Sequence, residues 1–96
     1  MSIRYTRPAL ADLEEILAYV EARSPRGARR VLQRIESLVQ LLPERPWLGR
    51  STDDPTIRRL AVPPFPYLVF YETVGGEIMI HAIRHGARDP ASMPGR

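Results

Sequence analysis

A chain of 96 residues, 44% hydrophobic and 26% charged, suits one folded domain over residues 1–96 and leaves too little for a second core. Cysteine and lysine are absent and all 14 cations are arginine, for a net charge of +3. This excludes disulfides, thiolate-bound metals and lysine base or Schiff-base chemistry. The short apolar runs and the missing basic-then-apolar leader predict no membrane span and no signal peptide, so the expectation is a soluble, cytoplasmic protein. The arginine bias is read as the codon usage of a GC-rich genome rather than selection for phosphate contacts.

Ile3, Arg4 and Tyr5 read as a short opening strand. Thr6 and Pro8 supply an N-cap hydroxyl and a first-turn proline, and Leu10, Leu13, Ile16, Leu17 and Val20 follow at helical spacing, predicting a helix to about Ala22. Ser24-Pro25 repeats the start signal, and Ala28, Val31, Leu32, Ile35, Leu38, Val39 and Leu42 form an apolar stripe that Pro43 stops. The short connection makes the pair an antiparallel hairpin. From Pro43 to Thr56 the prolines, Gly49, Asp53 and Asp54 predict a loop, with Trp47 as its apolar anchor to the core. Ile57 to Val62, Tyr67 to Tyr71 and Ile78 to His85 then read as three strands of an antiparallel meander. Pro63-Pro64-Phe65-Pro66 is a rigid connector, and Val74-Gly75-Gly76-Glu77 a turn. Ile78, Ile80 and Ala82 are expected on one face. The small, proline-rich tail from Pro90 to Arg96 is expected to be extended or frayed, a flexible end to the domain. The class is α+β, in the order β-α-α-β-β-β, with the helical hairpin covering the sheet.

The segment from Ile80 to Pro90 gathers both histidines, two arginines and an aspartate. His81 and His85 on a strand lie four rises apart, roughly 13 Å, too far for one metal ion, so no metal or cofactor is expected. An RNase that drives a 2′-OH onto its own phosphate needs a base, an acid and cations around the phosphorane. His85 with Arg84, Arg88 and Arg59 holds that inventory. A structural role for a strand-end histidine, and a local Arg88-Asp89 pair, account for the same residues. Arg58 and Arg59, adjacent in a strand, point to opposite faces, one solvated and one on the sheet's open side.

Several pieces in order resemble the ParE/RelE superfamily of bacterial type II toxins. They are Ala11-Asp12-Leu13-x-x-Ile16-x-x-Tyr19, Pro25-x-x-Ala28, Arg59-Leu60, Tyr67-Leu-Val-Phe-Tyr71 and His85-Gly-Ala-Arg-Asp89. The resemblance implies a cytoplasmic toxin that forms a hetero-oligomer with a cognate, ParD-like antitoxin. RelE-like members are ribosome-dependent mRNA endonucleases whose sites are implied to carry an arginine after the first tyrosine of the Tyr-x-x-x-Tyr strand. Leu68 stands there in this chain. The His85-Gly-Ala-Arg-Asp89 ending is similar to the ParE-like branch, which implies binding to DNA gyrase without chemistry of its own. The expected target-binding residues are Arg59, Tyr67, Tyr71, His81, Arg84, His85 and Arg88. The alternatives are mRNA cleavage by His85, Arg84, Arg88 and Arg59, or a non-toxic partner-binding homologue.

Overall fold

The structure, a computed structural model, describes residues 1–86. Its elements are β1 (Ser2–Tyr5), α1 (Arg7–Glu21), α2 (Pro25–Val39), β2 (Arg50–Ser51), β3 (Arg58–Ala61), β4 (Tyr67–Val74) and β5 (Glu77–His85). Both helices begin as their start signals predict. The Thr6 hydroxyl accepts from the Ala9 N–H at 3.1 Å and the Ser24 hydroxyl from the Gly27 N–H at 2.9 Å, each satisfying one of the orphan donors of a first turn.

The α+β class holds, while the sheet is larger than expected: five strands in the order β1-β5-β4-β3-β2. β1 lies parallel to β5, Ser2 opposite Glu77 through Tyr5 opposite Ile80. At the far edge the two-residue β2 pairs antiparallel with Arg58 and Arg59, inside what the sequence predicts as loop. Two residues between Gly49 and Thr52 carry too little periodicity to be read as a strand. Gly75 and Gly76, with φ of 58° and 76°, make the tight β4–β5 turn in a region that side-chain-bearing residues avoid.

The apolar stripe of α2 (Val31, Ile35 and Val39) and Leu42 pack on Leu60, Val62, Val69, Tyr71, Ile78, Ile80 and Ile83. Burying a side chain of this size stabilises the fold by about 1.5–3 kcal/mol before ordering entropy is set against it. A register shift changes the expected face of β5. Phe70 pairs with Ala82 but Tyr71 with Ile80, leaving His81 as the extra residue of a bulge. The alternation therefore flips. Ile83, not Ala82, joins Ile78 and Ile80 in the core, where it is 2% exposed.

Trp47 does not anchor its loop, being 67% exposed. The loop is instead held through its backbone. The fully buried Tyr71 donates its hydroxyl to the Pro46 carbonyl and accepts from the Gly49 N–H, both at 2.8 Å. Arg58 donates to the Gly49 carbonyl at 2.7 Å. Gly49 is needed at this approach, because a Cβ there would lie 2.8 Å from the Tyr71 ring and 2.9 Å from the Arg59 carbonyl.

Candidate functional site

Beyond Tyr5 no strand among the described residues pairs with β5 on that side, and the start of α1 closes the edge. The Thr6 N–H donates to the Ile80 carbonyl at 3.0 Å, and the Thr6 hydroxyl to the His81 carbonyl at 3.3 Å. Asp12 accepts the edge N–H of Ile83 at 3.0 Å, and the same oxygen lies 3.7 Å from Arg84 Nε. Asp12 thus satisfies an unpaired donor and offsets the charge of the neighbouring guanidinium.

Between α1 and the ends of β4 and β5 lies a cavity of about 390 Å³ lined by Asp12, Glu15, Tyr19, Tyr67, Arg84 and His85, with Ile16 and Ile83 on its floor. The His85 imidazole stands edge-on to the Tyr67 ring at a centroid distance of 5.6 Å. Tyr67 is nearly buried, so this contact orients the histidine from the core side.

A second concavity, a groove of about 810 Å³, lies where α2 and the following loop meet β3. Leu38, Leu41, Leu48, Leu60, Ala61, Pro63 and Leu68 make it apolar, and among the described residues Arg50 and Arg59 are its only charged lining residues. β2 stops opposite Arg59, so among the described residues Leu60 and Ala61 have no strand beside them on that edge.

The expected site residues are therefore dispersed. Tyr67, Arg84 and His85 share the first cavity, while Arg59 lines the other groove. His81 sits on the bulge with Nε2 2.6 Å from Glu72 Oε1. Tyr71, expected at a target surface, is a core residue whose hydroxyl serves the Trp47 loop. Arg58, expected to be solvated if Arg59 faced the sheet, is tied to that loop as well. Arg88 and Asp89, like the tail from Pro90, lie outside the described residues. Among the described residues no group of three or more His, Cys, Asp or Glu side chains could hold a metal ion. No described helix is long and apolar enough to cross a membrane.

Sequence reasoning missed Asp12 and Glu15 as cavity residues and Leu48 and Arg50 as groove residues. Asp12 was legible only within the helical Ala11-Asp12-Leu13 signature; that it closes a strand edge is a tertiary fact. Desolvation by burial is the largest influence on Tyr71 and raises its pKa, against the lowering effects of the Gly49 N–H and Arg58. That hydroxyl is therefore a neutral structural donor.

A strand, a helical hairpin and a sheet carrying these two concavities define a known class of protein. The model of the ParE toxin of the type II toxin-antitoxin system parDE matches residues 3–90. The chain belongs to this family of toxins. Toxin RelE2 of Caulobacter vibrioides is 39% identical over 84 residues, covering 88% of this chain and 93% of that protein. Putative toxin Y4kP of Sinorhizobium fredii is 36% identical over 83 residues, covering 86% of this chain and 85% of that protein. A solved structure described as the chromosomal ParDE TA system from P. aeruginosa is similar with a TM-score of 0.74 and 31% identity, over 88% of this chain and 95% of that chain.

Proposed function

We infer that this toxin acts by binding, with DNA gyrase as its target, and that a cognate, ParD-like antitoxin holds it inactive in a hetero-oligomer. The observation that carries this reading is that Arg59 lines a different concavity from His85, whose own cavity holds the carboxylates of Asp12 and Glu15 beside Arg84. Among the described residues, a phosphate approaching His85 would meet two carboxylates and one guanidinium already close to Asp12. Leu68 adds no charge where the RelE-like branch is implied to carry arginine. On this reading Arg59, Tyr67, His81, Arg84 and His85 belong to recognition surfaces.

The apolar groove suits the antitoxin. A segment that orders on binding can add a strand at the open Leu60–Ala61 edge, bury apolar side chains on Leu38, Leu41 and Leu48, and set carboxylates against Arg50 and Arg59. The similarity to a structure described as a chromosomal ParDE TA system supports a partner of this kind.

The test is a supercoiling and cleavage assay with gyrase and the folded chain. Accumulation of cleaved DNA that the antitoxin abolishes is expected; unchanged supercoiling in large excess of toxin would reject gyrase as the target. The second reading, a ribosome-dependent mRNA endonuclease, is favoured by the relative named toxin RelE2 and by Tyr67, Arg84 and His85 sharing one cavity. It requires that His85→Ala abolish mRNA cleavage while circular dichroism stays unchanged. Harmless over-expression of folded protein would favour the non-toxic homologue.

A further inference from the structure

α2 turns four arginines away from the core. Val31, Ile35 and Val39 face the sheet, and at 100° per residue Arg26, Arg30 and Arg34 fall on the opposite side with Arg29 flanking them. Arg26, Arg29 and Arg30 are exposed, and none forms an ion pair among the described residues. Arg34 donates its Nε–H to the Pro63 carbonyl at 2.6 Å, which fixes one end of the row. Arg30, Gln33, Arg34, Ser37 and Phe65 line a shallow concavity of about 350 Å³ there. Codon usage explains arginine in place of lysine; it does not explain where the arginines stand. From Ala22 to Ile35 there are five arginines and no acid, whereas α1 carries Asp12, Glu14, Glu15 and Glu21.

We propose that this face of α2 binds the phosphate backbone of duplex DNA without sequence preference. Arg26, Arg30 and Arg34 stand four residues apart, about 6 Å per step along the axis. That is a repeating line of forked donors able to take phosphate oxygens in pairs. Gln33 and Ser37 add neutral polar groups of the sort that position a backbone. A protein partner is the poorer fit, because interfaces need apolar anchors near their centre. Among the described residues the large exposed apolar side chains are Met1, Leu10, Tyr19, Leu41, Trp47, Leu48 and Val74, and none lies on α2. Single strands are recognised on aromatic platforms, and Phe65 is half-buried and packed against the core. RNA-selective binding uses unstacked bases or 2′-hydroxyl contacts, for which this row of guanidinium groups is not built. The basic face of α2 adjoins the apolar groove at Pro63, which lines the groove and accepts from Arg34, and DNA binding by this face does not depend on gyrase being the target.

The experiment is fluorescence anisotropy of the full chain with a labelled DNA duplex of arbitrary sequence, repeated with duplex RNA and single-stranded DNA. Nonspecific binding with a Kd in the micromolar range is expected at low salt. Four phosphate contacts would weaken it about 10²-fold between roughly 50 and 200 mM salt, with a log-log slope of about −3.6. Arg26→Gln, Arg29→Gln and Arg30→Gln together should lower that slope by about 3. A charge-matched control, Arg4→Gln with Arg7→Gln and Arg45→Gln, should leave most of it. Circular dichroism of both triple variants, whose sites are exposed, keeps the comparison free of folding. No binding at low salt, equal losses in both triple variants, or preference for RNA or single strands would overturn the proposal. So would a triple variant of Arg26, Arg29 and Arg30 that loses antitoxin affinity and keeps DNA binding.

Discussion

α1 and α2 are each 15 residues long, each starts on a hydroxyl cap with proline in its first turn, and yet they bury very different shares of their apolar stripes. α2 places Ala28, Val31, Ile35 and Val39 out of solvent; α1 fully buries Ala9 alone, while Leu10 and Tyr19 are 46% and 42% exposed. The position of each helix explains the difference. α2 lies over the core of the sheet, so its stripe meets β-branched and aromatic side chains. α1 also closes the free edge of β5, and there Asp12 and Thr6 act through hydrogen bonds. Equal local signals thus produce one helix that stabilises by packing and another that also acts through polar groups and borders a cavity.

The largest expected effect tests that contrast. Ile35→Ala removes a fully buried side chain and should cost about 2–5 kcal/mol in urea denaturation. Ile16→Ala on the half-buried α1 should cost about 1–2 kcal/mol, since part of its surface is already wet. Equal losses would mean that α1 packs as tightly as α2 in solution.

Element type was legible because it depends on local periodicity and caps: both helices, the Gly75-Gly76 turn and strands β3 to β5 follow from their own residues. The errors arose where a distant contact decides. β2 exists because Arg58 and Arg59 offer it an edge. Ala82 leaves the core face because a bulge at His81 inserts one residue into the alternation. Trp47 reads as the core anchor of its loop because it is the largest apolar residue there, but the Tyr71 hydroxyl and Arg58 hold that loop by its backbone. The candidate site was legible as a set of residues and not as an arrangement, since nothing in the spacing puts Arg59 and His85 in different concavities.

Tyr71→Phe sharpens the contrast on the α2 side. It keeps the ring and strips the partner from the Gly49 N–H and the Pro46 carbonyl, so a loss of about 1–3 kcal/mol is expected. It should also change the alkaline limit. Burial raises the Tyr71 pKa above its ordinary 10.0, and burial followed by the charge of Glu36 does the same for Tyr5. A group with a raised folded pKa contributes stability that is fully present below its unfolded value and is lost as pH rises through the folded one. The parent chain should lose stability progressively above about pH 10, and Tyr71→Phe should lose less over the same interval, leaving the share of Tyr5. An unchanged slope would mean that ionisation of Tyr71 is not coupled to unfolding.

On the α1 side the matching change is Asp12→Ala, which orphans the Ile83 N–H and removes the carboxylate beside Arg84. About 1–2 kcal/mol should be lost, given the partial exposure of the pair. Asp12→Asn, which retains an acceptor, should recover most of it. If the two variants lose equally, the charge near Arg84 matters more than the edge hydrogen bond.

The smallest stability effect is expected at Trp47, and it separates folding from recognition. With 67% of its surface exposed and its loop fixed by other groups, Trp47→Ala should change stability by no more than about 0.5 kcal/mol. The side chain adjoins Leu48 in the groove assigned to the antitoxin, and a tryptophan presented on a rigid backbone loses little freedom when a partner covers it. Antitoxin affinity should therefore fall by at least about 10-fold, on the order of 1.4 kcal/mol, in a variant that folds like the parent. Because this is the only tryptophan in the chain, its fluorescence in the parent protein reports the same event, shifting to the blue as the antitoxin closes over the loop. An unshifted spectrum on saturation with the antitoxin would move the partner to another surface and leave the exposure of Trp47 to be explained by the target.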